Sequence, residues 1–132
     1  MNMLRILVVE DDAMVAMFLS MTLEQMGHNV CAIEATEWGA VKAASALRPD
    51  LIIVDAGLSS GDGVSAMERI LEAGPMPHIF ASGDLARVTA RRPDALVIQK
   101  PFNEAELEQA IRGAMATGAS PAGLVRDGEP RP

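Results

Sequence analysis

Four short, largely apolar runs constrain the fold of this chain most, because each stops abruptly at a polar residue. The runs cover residues 6–9, 51–54, 79–81 and 96–99. The residues that follow them are Glu10, Asp55, Ser82 and Lys100. Continuous apolar runs of this length are typical of strands buried on both faces of a parallel sheet. The carboxyl ends of such strands share one edge, where ligands bind, so the four polar residues are predicted to meet there.

Helical patterns fill the spaces between the predicted strands. Strands are predicted over residues 4–9, 29–33, 51–54, 78–81 and 95–99. Helices are predicted over residues 13–26, 37–47 and 64–73, with a short or frayed fourth helix within 83–93 and a last helix ending near 116. The N-caps predicted by their position are Asp12, Thr36 and Asn103, the last in a capping box with Glu106. The expected fold class is α/β, a doubly wound five-stranded parallel sheet with helices on both faces.

Length and composition fit one domain over residues 1–116 and a disordered tail over residues 117–132. A net charge of −7, from 18 acidic and 11 basic residues, argues against nucleic acid and anionic membranes as partners. The single cysteine, Cys31, is interpreted as a buried, unreactive thiol, and the nine methionines as core fillers. With no signal peptide and no intramolecular disulfide, a cytoplasmic location is expected.

The polar residues at the predicted sheet edge indicate a particular chemistry. Glu10, Asp11, Asp12 and Asp55 would bring several carboxylates together, which is unfavourable unless a hard cation such as Mg²⁺ lies between them. A hydroxyl from Ser82 and an ammonium from Lys100 beside that metal suit a phosphoryl group. Asp12 is left out of the metal site, because it directly precedes the first helix and fits a cap.

Together these motifs resemble the receiver domain of two-component response regulators over residues 4–116. The acidic residues after strand one, Asp55 after strand three, Ser82 after strand four and Lys100-Pro101 after strand five occur in the family's order. The resemblance implies a flavodoxin-like, CheY-like fold and phosphorylation of Asp55 by a histidine kinase or a phosphotransfer protein. It also implies a cis bond before Pro101.

The resemblance implies a Mg²⁺ site, which Mn²⁺ can also fill. Its ligands would be Asp55, Asp11 directly, Glu10 largely through water, and the backbone carbonyl of Gly57. Ser82 would donate a hydrogen bond to the phosphoryl oxygens, and Lys100 would pair with them as a point charge.

Two departures from the common receiver pattern place the chain nearer to one subgroup. Val97 stands where the family usually has Phe or Tyr, so an aromatic switch on strand five is not expected. Residues 80–83 read Phe-Ala-Ser-Gly, which is similar to the Phe-Ala-Thr-Gly motif of the single-domain FATGUY subgroup. That similarity implies a sensor kinase of the HWE class as partner. The segment 83–93 is then the predicted place of the conformational response.

The leading interpretation is a stand-alone phosphoacceptor that signals through an unidentified downstream protein or drains phosphate from a kinase. An aspartyl-nucleophile phosphatase is the enzymatic alternative, but the stretch at Glu10 lacks the Asp-x-Asp of such enzymes. A flavodoxin-like cofactor binder lacks its Gly-rich phosphate loop here. A degenerate receiver that never takes phosphate is disfavoured by the intact Asp55 and Lys100.

Overall fold

The computed structural model describes residues 3–117 of the 132-residue chain and shows strands and helices in strict alternation. The strands are β1 (Arg5–Val9), β2 (Asn29–Glu34), β3 (Leu51–Asp55), β4 (His78–Ser82) and β5 (Val97–Gln99). The helices are α1 (Ala13–Gln25), α2 (Glu37–Leu47), α3 (Gly63–Leu71), α4 (Leu85–Arg91) and α5 (Glu104–Thr117). All strand pairs are parallel, in the order β2-β1-β3-β4-β5. The predicted fold class is confirmed.

The sheet lies between two apolar layers, because successive side chains of each strand point to opposite faces. Leu7, Ile52 and Phe80 face α2, α3 and α4, where they pack against residues such as Met67 and Val88. On the other face, Ile6, Ile53 and Ile79 of β1, β3 and β4 pack against α1 and α5. The helices contribute buried residues such as Leu23 of α1 and Leu107 of α5. The central strands are therefore buried on both sides, as their continuous apolar runs predicted.

The predicted helix caps are present. The carboxylate of Asp12 accepts hydrogen bonds from the backbone N–H groups of Met14 and Val15, at 3.0 and 3.2 Å. Thr36 accepts from the N–H of Gly39 at 3.0 Å. Asn103 and Glu106 form the predicted capping box, with reciprocal bonds of 2.9 and 2.8 Å. Asp12 is thus the residue that caps α1.

The structure corrects several details of the prediction. Met67 is buried, but Met14, Met17 and Met21 lie on the outer side of α1, since that helix turns Ala16, Leu19 and Leu23 toward the core. Cys31 is only half-buried, because β2 is an edge strand, and its thiol lies 3.5 Å from the carbonyl oxygen of Ile6. Strand β5 is shorter than predicted, because residues 92–95 form a turn. In this turn the N–H of Ala95 donates a hydrogen bond to the carbonyl oxygen of Arg92 at 3.1 Å.

The fourth helix is short, as predicted, with seven residues. No helix within residues 3–117 combines the length and apolar character needed to cross a bilayer. The predicted tail, residues 117–132, lies outside the described part of the chain, apart from Thr117 at the end of α5.

Candidate functional site

The carboxyl ends of four strands bring the predicted polar residues to one edge of the sheet. Asp55 is the last residue of β3, and Ser82 is the last residue of β4. Ladder hydrogen bonds extend past the strand ends: Ala56 N–H donates to Ala81 at 3.0 Å, and Lys100 N–H donates to Ser82 at 2.8 Å. The backbone therefore fixes the loop after Asp55 against β4, and it fixes Lys100 against Ser82.

Lys100 joins two of the predicted carboxylates. Its Nζ lies 2.9 Å from Glu10 Oε1 and 3.1 Å from Asp55 Oδ2. Burial lowers the pKa of Lys100, but the hydrogen bonds to Glu10 and Asp55 outweigh it and leave the pKa above its ordinary value. The ammonium is therefore a permanent positive charge beside Asp55. The peptide bond from Lys100 to Pro101 is cis, which is the conformation that the family resemblance implies.

Glu10 is the most deeply buried acid of the group, with 5 % of its surface exposed. Burial raises the pKa of Glu10, although Lys100 and the backbone N–H of Asp12 act in the opposite direction. That N–H lies 3.1 Å from Glu10 Oε2. Because one shared ammonium does not fully offset burial of this carboxylate, a further positive charge at the site would be favourable.

Asp11 forms hydrogen bonds with Ser59, a residue that no sequence pattern singles out. Its Oδ2 accepts a hydrogen bond from the N–H of Ser59 at 2.7 Å, and the hydroxyl of Ser59 donates to the same oxygen. These two bonds lower the pKa of Asp11 below its ordinary value. Ser59 lies in the loop between β3 and α3, so the loop that follows the predicted acceptor also orients Asp11.

Three carboxylates form a cluster that fits a hard divalent cation. One oxygen from each of Glu10, Asp11 and Asp55 lies within 4.8 Å of the other two. All are oxygen donors, which Mg²⁺ and Mn²⁺ prefer, and Mg²⁺ retains several waters and so needs few protein ligands. The N–H of Gly57 donates to Asp55 Oδ1 at 3.1 Å, which places the Gly57 peptide beside the acceptor. The role of its carbonyl as a ligand stays a prediction.

Ser82 lines the same cavity as Asp55 but is bonded to its own turn. Its hydroxyl accepts from the N–H of Asp84 at 2.9 Å and donates to the carbonyl of Asp84 at 3.1 Å. The cavity has a volume of about 270 Å³ and extends from Asp55 to Arg87 and Arg91 of α4. A Cβ at either Gly57 or Gly83 would meet no atom within 4 Å, so both glycines leave open space at this cavity.

The cavity also involves residues that sequence patterns missed. Asp62, the N-cap of α3, forms an ion pair with Arg91 of α4. Gly63 lies so close to Asp55 that an added Cβ would come within 1.9 Å of the carbonyl oxygen of Asp55. The sequence shows locally that Asp62 can cap a helix. Its pairing with Arg91, 29 residues away, and the close approach of Gly63 to Asp55 leave no local sequence pattern.

Comparison with known proteins bears on the arrangement as a whole. The sequence model of the response regulator receiver domain matches residues 6–112. This chain belongs to the response regulator receiver family. The receiver is 38% identical over 114 residues to the phyllosphere-induced regulator PhyR of Methylorubrum extorquens, covering 83% of this chain and 43% of that protein. It is 34% identical over 119 residues to the KDP operon transcriptional regulatory protein KdpE of Escherichia coli, covering 86% and 52%.

A solved structure agrees in three dimensions. The receiver superposes on the PhyR response regulator REC domain of Erythrobacter litoralis with a TM-score of 0.83 and 28% identity, over 93% of this chain and 98% of that one. The chain spans about half the length of the two curated relatives it matches. The single-domain organisation expected from the sequence therefore stays a prediction.

Proposed function

We propose that this receiver accepts a phosphoryl group on Asp55 from a sensor histidine kinase or a phosphotransfer protein, with Mg²⁺ bound nearby. The observation that carries the proposal is the environment of Asp55. One of its oxygens lies 3.1 Å from the ammonium of Lys100, and the carboxylate shares a cluster with Glu10 and Asp11. A carboxylate held between a fixed cation and a metal-binding cluster is suited to attack phosphorus.

In the proposed transfer, a carboxylate oxygen of Asp55 attacks the phosphorus of a phosphohistidine. The new O–P bond gives an acyl phosphate, while the N–P bond breaks and its electron pair stays on the imidazole nitrogen of the donor. Bound Mg²⁺ would neutralise charge on the phosphoryl oxygens and the carboxylates. Lys100, which follows β5, supplies a second positive charge, and the N–H of Gly57 orients the nucleophilic carboxylate.

Ser82 supplies the proposed link from the chemistry to α4. To donate to a phosphoryl oxygen, its hydroxyl must release the carbonyl of Asp84, to which it now donates at 3.1 Å. Asp84 is the N-cap of α4, where its carboxylate accepts from the N–H of Arg87 at 3.2 Å. A change at Ser82 therefore acts directly on the residue that starts α4.

The proposed output is a change in protein contacts rather than catalysis, in the cytoplasm and with a partner other than nucleic acid. The negative charge of the chain and the hydrogen-bonded link to α4 support this interpretation. Signalling through a downstream protein and draining phosphate from a kinase are both compatible with it. The Phe-Ala-Ser-Gly stretch at residues 80–83 and Val97 beside Phe80 support membership of the FATGUY subgroup and an HWE-class kinase.

Incubation with a small phosphodonor and Mg²⁺, followed by intact mass measurement, tests the acceptor directly. Wild-type protein should gain one phosphoryl group, and chelation of the metal or Asp55→Asn should abolish the gain. Asp12→Asn is the matched control, since it removes the same charge but keeps a good cap, and it should be labelled normally. Undiminished labelling of Asp55→Asn would contradict the assignment.

Two further measurements separate the alternatives. An aspartyl phosphatase would release phosphate continuously from a phosphate monoester, whereas the proposed acceptor would not. Profiling against the sensor kinases of the source organism should show rapid transfer from HWE-class kinases. Preferential transfer from kinases of another class would reject the proposed partner but leave the acceptor assignment intact.

A further inference from the structure

Helix α4 carries two arginines at the cavity that contains Asp55, and only one of them has a carboxylate partner. Arg87 and Arg91 both line the cavity that contains Asp55 and Ser82. They are four positions apart, so they share one face of the helix. Val88, next to Arg87, is 1 % exposed and packs into the core, which fixes the rotation of α4. The arginine face is thus set beside the acceptor by the packing of the helix.

Arg91 already has a partner. Its guanidinium pairs with the carboxylate of Asp62, and its second nitrogen lies 3.3 Å from the hydroxyl of Ser65. The pKa of Asp62 is lowered: partial burial acts to raise it, but the hydrogen bonds from Arg91 and from the N–H of Val64 outweigh that effect. Arg91 is therefore held toward α3.

Arg87 has no such partner within residues 3–117. Its backbone N–H is bound by Asp84, but its guanidinium forms no ion pair or hydrogen bond. Between residues 60 and 117, every other arginine or lysine is paired with a carboxylate; these are Arg69, Arg91, Arg92, Lys100 and Arg112. The exposed guanidinium of Arg87 is therefore free to bind an anion in the cavity that contains Asp55.

We propose that the guanidinium of Arg87 binds the phosphoryl group on Asp55 directly, in addition to the ammonium of Lys100 and the hydroxyl of Ser82. This inference rests on the proposed phosphorylation of Asp55. A guanidinium presents several donors in a plane that suits phosphoryl oxygens. The open space beside Gly57 and Gly83 leaves room for the phosphoryl oxygens and for the approach of the side chain.

The hydrogen bonds around Ser82 would couple this contact to the rest of the response. Asp84 N–H is bound to the hydroxyl of Ser82 at 2.9 Å, and the carboxylate of Asp84 holds the N–H of Arg87 at 3.2 Å. A phosphoryl group that draws in Ser82 therefore also draws in the first turn of α4. Arg87 then anchors that turn to the phosphoryl oxygens, while Arg91 stays on Asp62.

Binding of beryllofluoride, which stands in for the phosphoryl group on the Asp55 carboxylate, tests the inference on the full chain with Mg²⁺. We expect Arg87→Gln to raise the beryllofluoride concentration for half-saturation about tenfold, the loss of one charge-assisted contact. Arg87→Lys should give a smaller increase, because the charge remains. Arg112→Gln, remote on α5 and paired with Glu108, is the matched control and should bind as the wild type does.

The outcomes separate this inference from the function on which it rests. If the wild type does not bind beryllofluoride and is not phosphorylated, the proposed function and this inference both fail. If the wild type binds and Arg87→Gln binds equally well, only the role of Arg87 is rejected. A purely structural role for Arg87 would instead lower Mg²⁺ affinity in the absence of beryllofluoride, which we expect to be unchanged. If Arg91→Gln loses more beryllofluoride affinity than Arg87→Gln does, then Arg91 makes the contact with the phosphoryl group, and the proposal is overturned.

Discussion

Helices α3 and α4 flank the same acceptor cavity, but they are attached to the sheet in very different ways. The buried residues of α3 are Gly63, Val64, Ala66, Met67 and Ile70, whereas within α4 only Val88 is buried. Beyond Val88, α4 is held by its Asp84 cap, by the surface pair of Arg91 with Asp62, and by Arg92, whose guanidinium lies 5.9 Å from the centre of the Phe80 ring.

The difference shows how one cavity can combine fixed chemistry with a movable response. Elements with few buried apolar contacts open at a lower free energy than the core does. The loop before α3 carries Gly57 and Ser59, which orient Asp55 and Asp11, so this side has to stay rigid. The α4 side carries Ser82, Asp84 and Arg87, whose hydrogen bonds would rearrange in the proposed response to phosphorylation.

The largest expected effect tests the rigidity of the α3 side. Gly63→Ala should destabilise the protein by about 3 kcal/mol, because the new Cβ would meet the backbone of Asp55, which cannot move away cheaply. Gly113→Ala in α5 is the matched control: its Cβ would lie 3.5 Å from Leu96 Cδ2, an ordinary contact, and alanine favours a helix by about 0.5–1 kcal/mol over glycine. Urea unfolding measures both variants, and a loss below about 1 kcal/mol in Gly63→Ala would show that this side is pliable.

Local sequence patterns predict the strands and the helix caps, but they do not predict contacts between residues far apart in the chain. The buried strands, their polar ends and the caps at Asp12, Thr36 and Asn103 follow from local patterns, and the structure places them as predicted. The bond of Ser59 to Asp11 spans 48 residues and leaves no local pattern. The exposure of Phe18 on α1 depends on which helix side packs on the sheet, and helical spacing alone does not decide that.

A second prediction tests the metal cluster on the same side of the cavity. Asp11→Asn should weaken Mg²⁺ binding at least about tenfold, since it removes a charged ligand but can still accept the hydrogen bonds of Ser59. Asp12→Asn, one residue further on, removes the same charge from a capping position and should change Mg²⁺ affinity far less. Isothermal titration calorimetry would measure both. Equal losses in the two variants would mean that only the general charge matters.

A smaller effect concerns protonation beneath α4. Burial lowers the pKa of His78, with the charge of Arg92 acting in the same direction, and burial also lowers the pKa of His28. The unfolded chain therefore takes up protons near pH 6.5 that the folded protein does not, so stability should fall as pH drops from about 7 to 5. We expect both histidines to contribute to that loss, because each has a lowered pKa in the folded protein.

Chemical unfolding of His78→Gln and His28→Gln at both pH values separates the two contributions. Each variant should lose the part of the pH dependence that its histidine contributes. His78 forms an edge-on ring contact with Phe80, at 5.4 Å, and Arg92 covers the same ring, so its protonation acts on the α4 side. If the free energy of unfolding of His78→Gln depends on pH as that of the wild type does, protonation of His78 does not affect stability on the α4 side.

In the proposed response, α3 stays fixed and α4 changes when Asp55 is phosphorylated. Amide hydrogen exchange of the receiver, with Mg²⁺ alone and with Mg²⁺ and beryllofluoride, tests it most directly. Without beryllofluoride, residues 83–93 should exchange faster than α3. With beryllofluoride, protection should rise in residues 83–93 more than in α1 or α3. Equal protection of residues 83–93 in the two states would contradict the account and place the response on another surface.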